Sequence, residues 1–282
     1  MPELPEVENI TRGLKKLVVG KTVQQVDMLF PGLIKNMGVE TFQSQICGKL
    51  IESVQRRGKY ILVLFQENVL EVHLRMTGAF LFYPEPVEPG PYTRAVFMFQ
   101  GKEALHYQDV RKFGTFRLWD NGELTRSPAY SLGLDPLNDR FSFFQFEKLL
   151  SQKPGTQLKS FLLNQHFIAG LGNIYVDEVL HQAKIHPARK INSLNLSERK
   201  NLFKSILSIL HESIQSGGTS FSDYRDLLGK RGVYQEHLKV YQKENTPCSS
   251  CGSPLRRIKT AGRGTYLCLS CQKPGHSASA TL

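Results

Sequence analysis

The sequence predicts a multi-domain α+β chain. Three observations carry that prediction: a helix at the very start, a long β-rich stretch, and a helical stretch closed by a cysteine module. Leu4, Val7, Ile10, Leu14 and Leu17 recur on one helix face and Gly20 ends the pattern, which gives a first helix over roughly residues 3–19. From about residue 22 to 119 the texture changes. VQQVDMLF, YILVLFQ, VLEVHLRM, AVFMFQ and TFRLWD are short, alternating and rich in β-branched and aromatic residues, with Gly, Pro and Asn between them. That pattern predicts an all-β sandwich or barrel. FYPEPVEPGPY (82–92) reads as a proline-rich surface loop.

A helical regime starts near Leu134. FSFFQFEKLL, LKSFLLNQ, NIYVDEVLHQA and SERKNLFKSILSILHESI predict helices, and Asn195 with Glu198 has the spacing of a capping pair for the last. Gly217-Gly218 stops that helix. A polar loop follows, then the cysteine module from about residue 245, then the tail QKPGHSASATL, which is expected to be disordered. There is no internal repeat.

At 282 residues and 40% apolar content, the chain suits two domains with a small appendage. No run of about 18 apolar residues predicts a membrane span, and the start lacks the basic-then-apolar pattern of a signal peptide. A cytoplasmic protein is the expectation. Lysine and arginine total 36 against 25 acids, a net charge of +11, which points to a polyanionic partner and most simply to nucleic acid. Residues 231–282 alone hold eight lysines and arginines against two acids. Against this background the opening MPELPEVE is acidic. A helix start accounts for its composition, since proline and acids suit a first helical turn. It does not account for Pro2 standing directly behind an initiator Met.

Cys47 stands alone and reads as a buried thiol. Cys248, Cys251, Cys268 and Cys271 form C-x2-C, sixteen residues, then C-x2-C. Two such knuckles complete a closed tetrahedral Zn2+ site; the alternative is two disulfides, which a reducing compartment disfavours. A closed four-cysteine site performs no chemistry and holds a hairpin that would otherwise unfold. Between the knuckles, Arg256, Arg257, Lys259 and Arg263 crowd a short ribbon, with Arg263 between Gly262 and Gly264 at the expected tip. Glycine lets a backbone approach a phosphate closely. A solvated basic turn is the bland alternative; beside zinc knuckles, a DNA-contacting finger is preferred.

PELPEVE, RRGKY (56–60), HLRMTG (73–78), DVRKFGT (109–115), AGLGNIYVDEVL (169–180) and the cysteine module occur in that order. Together they resemble the bacterial formamidopyrimidine-DNA glycosylases (8-oxoguanine DNA glycosylases), from residue 2 to about 272. The resemblance implies an N-terminal β-sandwich with the first helix, a helical domain with a helix–two-turn–helix element, and a C-terminal zinc-finger hairpin, with DNA in the cleft between the domains. The expected limits are 1–130 for the catalytic sandwich, 131–240 for the helical domain, 241–275 for the finger and 276–282 for the tail. The loop that caps the flipped base is expected within about 216–240. The implied activity is base excision repair on damaged double-stranded DNA, by a nucleoid-associated monomer with one structural Zn2+.

Such an enzyme breaks a nucleoside C–N bond and then eliminates phosphate from the opened sugar. An amine nucleophile serves both steps, because its adduct at the anomeric carbon is an iminium that acidifies the neighbouring C–H. The resemblance makes Pro2 that nucleophile once Met1 is removed, and Glu3 the general acid/base. Glu6, one helical turn on, takes a supporting role toward water or the amine, and Glu8 reads as a solvated first-turn acid. Lys59 matches a lysine of β-elimination, although a solvated strand end would also explain a basic trio with Arg56 and Arg57. Arg263 matches the finger arginine of δ-elimination, and Asn173 matches a residue at the same phosphate region, at a helix start suited to anions.

A flipped base leaves a hole that wedges must fill. Met76, Arg111 and Phe113 match the void-filling set, although core packing would suit Met76 and Phe113 taken alone. His73 is a further matched DNA contact. Tyr92 stands where many relatives carry a histidine, and Tyr can still donate a hydrogen bond. Lys159, within LKSFLL, stands for the family's lysine there, with Lys153 nearby but offset. Two other readings remain at this level: an endonuclease VIII-like glycosylase for oxidised pyrimidines, and a non-catalytic zinc-finger DNA-binding protein.

Overall fold

The computed structural model describes residues 2–138, 140–221 and 224–274. Met1 and its removal, residues 222–223 of the expected capping loop and the expected tail at 276–282 lie outside the described residues. The chain divides into two compact units, Met1–Ser131 with Ile214–Gln235, and Leu132–Ser213 with Glu236–Leu282.

The first unit begins with α1 (Leu4–Val18), whose Leu4, Val7, Ile10 and Leu14 are fully or almost fully buried. The β-rich stretch forms β1 (Val23–Met28), β2 (Ser53–Arg57), β3 (Tyr60–Leu64), β4 (Asn68–His73), β5 (Ala79–Tyr83), β6 (Thr93–Phe99), β7 (Ala104–Gln108) and β8 (Thr115–Asp120), with α2 (Val39–Ile46) inserted after β1. These strands make two antiparallel four-stranded sheets, ordered β1-β6-β7-β5 and β2-β3-β4-β8. One core, including Val54, Ile61, Val72, Phe80, Phe97, Tyr107 and Phe116, lies between the sheets and under α1. Cys47 packs at the edge of this core and is half-buried, short of the full burial expected for it.

Register positions the loops. Arg57 faces Tyr60, Tyr60 faces His73, and His73 faces Thr115, so the β2–β3 turn, the end of β4 and the start of β8 share one end of their sheet. In the other sheet Gln108 faces both Ala79 and Thr93. The connections 74–78 and 109–114 therefore run from one sheet to the other at a single end of the sandwich.

The second unit contains α3 (Phe143–Ser151), α4 (Leu158–Leu163), α5 (Asn173–Gln182) and most of α6 (Leu196–Gln215). Asn195 and Glu198 cap α6 reciprocally, each backbone N–H reaching the other's side chain at 2.9 Å. Eight residues of α5, Ile174 to His181, are buried, polar ones included. β9 (Arg256–Thr260) and β10 (Arg263–Leu267) form the hairpin between the cysteine pairs. Its two-residue turn, Ala261 and Gly262, has φ of +54° and +70°, the left-handed pair that matches hairpin twist. No helix among the described residues is long and apolar enough to cross a membrane.

Candidate active site

Pro2 and Glu3 lie at the entrance of α1, both buried, with Glu3 only 2% exposed. Glu6 explains how this tip is held. One carboxylate oxygen of Glu6 accepts from the Glu3 N–H at 2.8 Å, and the other accepts from the Thr219 N–H at 2.7 Å. Glu6 thus joins the N-terminal tip of the chain to the segment after α6. Gly218 makes the approach possible: its φ is +85°, and a Cβ there would sit 2.9 Å from the Glu6 Oε1. Farther along that segment Leu227 packs in the same core as α1, and its carbonyl accepts from the Phe82 N–H at 2.9 Å.

Glu8 is not the solvated acid expected. It binds Arg12 at 2.8 Å and Arg56 at 2.7 Å, and the Arg56 side chain is only 6% exposed. Burial alone would raise the Glu8 carboxyl, but the two guanidinium groups outweigh it and hold the group below its ordinary range. Arg56 also donates to the Gly58 carbonyl at 3.1 Å. Glu8 and Arg56 therefore tie α1 to the turn that carries Lys59, itself 8% exposed.

His73 is buried beside Tyr60, with ring centroids 4.6 Å apart. Burial first, then the nearby cations Arg75, Lys59 and Arg117, push it down to about 3, so the imidazole is neutral. Its Nδ1 accepts from the Arg75 N–H at 2.9 Å, which puts the ring hydrogen on Nε2. Met76, Arg111 and Phe113 project from the loops 74–78 and 109–114. Met76 is 38% and Phe113 51% exposed, so neither packs in the core, and the Arg111 guanidinium lies 4.7 Å over the Phe113 ring. Tyr92 is half-exposed next to these loops, its carbonyl accepting from the Asp109 N–H at 2.9 Å.

The residue that organises this end was not singled out from the sequence. Asp109 is fully buried, and its carboxylate accepts from the Thr77 hydroxyl, from the Arg111 N–H at 3.1 Å and from the Gly114 N–H at 2.8 Å. It sews the loops 74–78 and 109–114 together. An acid opening an otherwise basic DVRKFGT was the available signal.

In the second unit α5 carries a row of polar groups aimed at the finger. The Asn173 Nδ2 donates to the Gly264 carbonyl at 3.0 Å. Asp177 accepts from the Tyr266 N–H at 3.0 Å, and Glu178 accepts from the N–H groups of Lys239, Val240 and Tyr241 at 2.8–2.9 Å. The His181 Nε2 lies 3.4 Å from the Cys248 Sγ. Arg263 is exposed at the first position of β10. Lys159, expected at the DNA, is instead fully buried: its ammonium donates to Asp177 at 2.6 Å and to the Thr265 hydroxyl at 2.8 Å. Burial pushes the Asp177 carboxyl up to about 7, against the opposing pull of Lys159 and the Tyr266 N–H.

Cys248, Cys251, Cys268 and Cys271 bring four sulfurs within 4.8 Å of one another, with Cys251–Cys268 at 3.5 Å and Cys248–Cys271 at 4.0 Å. Tetrahedral zinc with Zn–S bonds of about 2.3 Å needs sulfurs about 3.8 Å apart. The four thiols fit one structural Zn2+, with every position taken by protein.

Three family models match the chain: the formamidopyrimidine-DNA glycosylase N-terminal domain over residues 1–116, the formamidopyrimidine-DNA glycosylase H2TH domain over 132–225, and the zinc finger found in FPG and IleRS over 246–274. Formamidopyrimidine-DNA glycosylase of Streptococcus mutans is 42% identical over 97% of this chain and 100% of the relative. That of Desulforamulus reducens is 42% identical over 97% and 99%. Among solved structures, MutM in complex with DNA containing carbocyclic 8-oxo-G is 37% identical, with a TM-score of 0.88 over 96% of this chain and 100% of that one. Lactococcus lactis Fpg in complex with abasic-site DNA is 36% identical, with a TM-score of 0.87 over 96% and 99%.

Proposed function

The chain belongs to the formamidopyrimidine-DNA glycosylase family, and on that premise we propose how its residues carry out base excision. It acts on damaged DNA as a bifunctional DNA glycosylase and abasic-site lyase, and its substrates are oxidised purines, 8-oxoguanine and formamidopyrimidines. The observation that carries the reading is the buried Pro2–Glu3 pair at the start of α1, with Glu6 holding the Glu3 backbone.

The Pro2 nitrogen, freed when Met1 is cleaved, adds its electron pair to C1′ of the damaged nucleotide. The C1′–base bond breaks with its own electron pair going to the base, and the Pro2 nitrogen, now bonded to C1′, gives up its proton to water. Glu3 gives a proton to O4′ as the C1′–O4′ bond opens, leaving an iminium at C1′. The iminium acidifies C2′. Loss of the C2′ proton and departure of the 3′ phosphate is β-elimination, with Lys59 at that phosphate. Loss of the C4′ proton and departure of the 5′ phosphate is δ-elimination, with Arg263 clamping the departing group. Water then hydrolyses the iminium and restores the Pro2 amine.

His73, neutral and donating from Nε2, binds a backbone phosphate without adding charge. Met76, Arg111 and Phe113 fill the space that the flipped base leaves; their exposure on loops braced by Asp109 supports that role. Asn173 and Tyr92 add backbone contacts. Zinc, when bound, supplies no chemistry to the DNA and only holds the hairpin. Every named group belongs to one chain, which supports action as a monomer, and a DNA substrate supports location at the nucleoid.

The test is borohydride trapping on a duplex carrying 8-oxoguanine opposite cytosine, with protein verified to begin at Pro2. A covalent adduct is expected. Its absence would overturn the reading, and a stronger adduct on thymine glycol would shift the substrate to oxidised pyrimidines. Glu3→Gln is expected to bind the duplex yet release base roughly 10²–10⁴-fold more slowly. Normal excision by that variant would remove Glu3 from the acid's role.

A further inference from the structure

Arg263 stands at the end of the hairpin away from the zinc ligands, five residues before Cys268. Along a strand that is about 16 Å. The hairpin's own core is small, built on Val240, Cys248, Leu255 and Cys268. An isolated two-stranded hairpin is marginal in water, so zinc at one end does not define the position of the other. A second set of contacts meets β10 near its tip. Lys159 on α4 donates both to Asp177 on α5 and to the Thr265 hydroxyl of β10. The other oxygen of Asp177 takes the Tyr266 N–H, and the Thr265 hydroxyl lies 3.2 Å from the Arg263 carbonyl. Lys159, Asp177 and Thr265 are all 0% exposed.

A buried ion pair is a poor source of stability, because apolar residues of similar volume often hold a fold equally well. What it supplies is direction: each charge has one set of partners at one geometry. Here the pair joins α4, α5 and β10 through Asp177, the Thr265 hydroxyl and the Tyr266 N–H. We propose that the Lys159–Asp177 pair is a positioning device for Arg263, setting how efficiently the second, δ-elimination follows the first. This rests on the reading of Arg263 given above. In that step the C4′ proton is lost to base, and its electron pair conjugates toward the iminium. The C5′–O5′ bond then breaks with its pair on the departing phosphate, whose charge Arg263 offsets. Misplacing such a group by about 1 Å costs on the order of 10²-fold.

The experiment measures the ratio of δ- to β-elimination products on an abasic-site duplex with the full, zinc-loaded chain. The double variant Lys159→Met/Asp177→Leu removes both charges and keeps the packing volume. It is expected to retain zinc, to lose only the few degrees of melting temperature that the unpaired Tyr266 N–H costs, to nick by β-elimination at the native rate, and to lose roughly 10–100-fold in the δ/β ratio. A purely structural pair would lower zinc content and melting temperature together and leave the ratio alone. Arg263→Gln is the control. If it lowers the ratio and the double variant does not, the positioning role is overturned while the Arg263 assignment stands. If Arg263→Gln leaves the ratio unchanged, the assignment fails and the inference falls with it. Should the double variant lose its zinc, Thr265→Val decides, since it deletes only the hydroxyl that links Lys159 to β10. A several-fold fall supports the positioning role, and a native ratio overturns it.

Discussion

The sandwich end that carries Lys59, His73, Met76 and Phe113 and the finger that carries Arg263 are held in different ways. In the first unit a large apolar core fixes the strands, and one largely buried carboxylate then gathers each loop: Glu6 the segment after α6, Glu8 through Arg56 the Lys59 turn, Asp109 the loops 74–78 and 109–114. In the second unit the hairpin has almost no core. Four thiolates hold one end, and polar groups spaced along α5 hold the rest, from Asn173 to His181. Where a core sets the frame, a functional loop needs only a local tie. Where none exists, a neighbouring helix has to supply the frame through hydrogen bonds, which specify direction and register better than apolar contact does.

The largest effect should come from zinc. Structural zinc of this kind contributes on the order of 10–16 kcal/mol to folding. Chelation is expected to abolish amide protection in β9 and β10 and tight DNA binding, while the sandwich keeps its unfolding transition. Hydrogen exchange reads both regions at once; a finger that stayed protected without metal would break the contrast. Asp109→Ala comes next. It strands the Gly114 N–H and deprives the Thr77 hydroxyl of its acceptor, leaving the Arg111 N–H only its bond to the Thr77 oxygen, at about 3 kcal/mol, and should cut excision more than it weakens binding to undamaged duplex. Urea unfolding and single-turnover rates check it.

Glu6→Gln replaces one acceptor with a donor facing a backbone N–H, at about 2 kcal/mol. The Thr219 amide should lose exchange protection while β-sheet amides keep theirs, and loss spread through the sheets would mean the tie is not local. The smallest effect is conditional on pH. Folded His73 stays neutral down to about 3, whereas the unfolded residue protonates near its ordinary 6.5. Between those values the unfolded state binds more protons, so this contribution is intact above 6.5 and lost as the pH falls toward 3. At pH 5 that amounts to roughly 2 kcal/mol, and at pH 8 to nothing. His73→Gln should flatten the fall in urea midpoint between pH 7 and pH 5 and leave the pH 8 value within error.

Features governed by neighbours in the chain were legible early. The α1 stripe, the β-alternation, the Asn195–Glu198 cap, the stop at Gly217-Gly218 and the spacing of the cysteines each depend on a few consecutive residues. Residues whose role depends on a distant partner were not. Glu8 is ordinary until Arg56 arrives from 48 positions away, and Asp109 looks like one more charge in a basic loop. Met76 and Phe113 have the composition of core residues; their exposure comes from loops that leave the sheets before either can turn inward. Lys159 erred in the opposite direction, because a lysine in a basic chain suggests the surface, and Asp177 with Thr265 made the interior tolerable for it.

By itself the sequence determined the fold class, the zinc ligands and the family, since periodicity, ligand spacing and short motifs are properties of local chain order. Only the tertiary structure decided which carboxylates brace the loops, that Glu6 meets Thr219 across 213 positions, and that Lys159 serves the finger from within. A hydrogen bond forms between groups that packing has brought within about 3 Å, and no local pattern records which distant donor that will be.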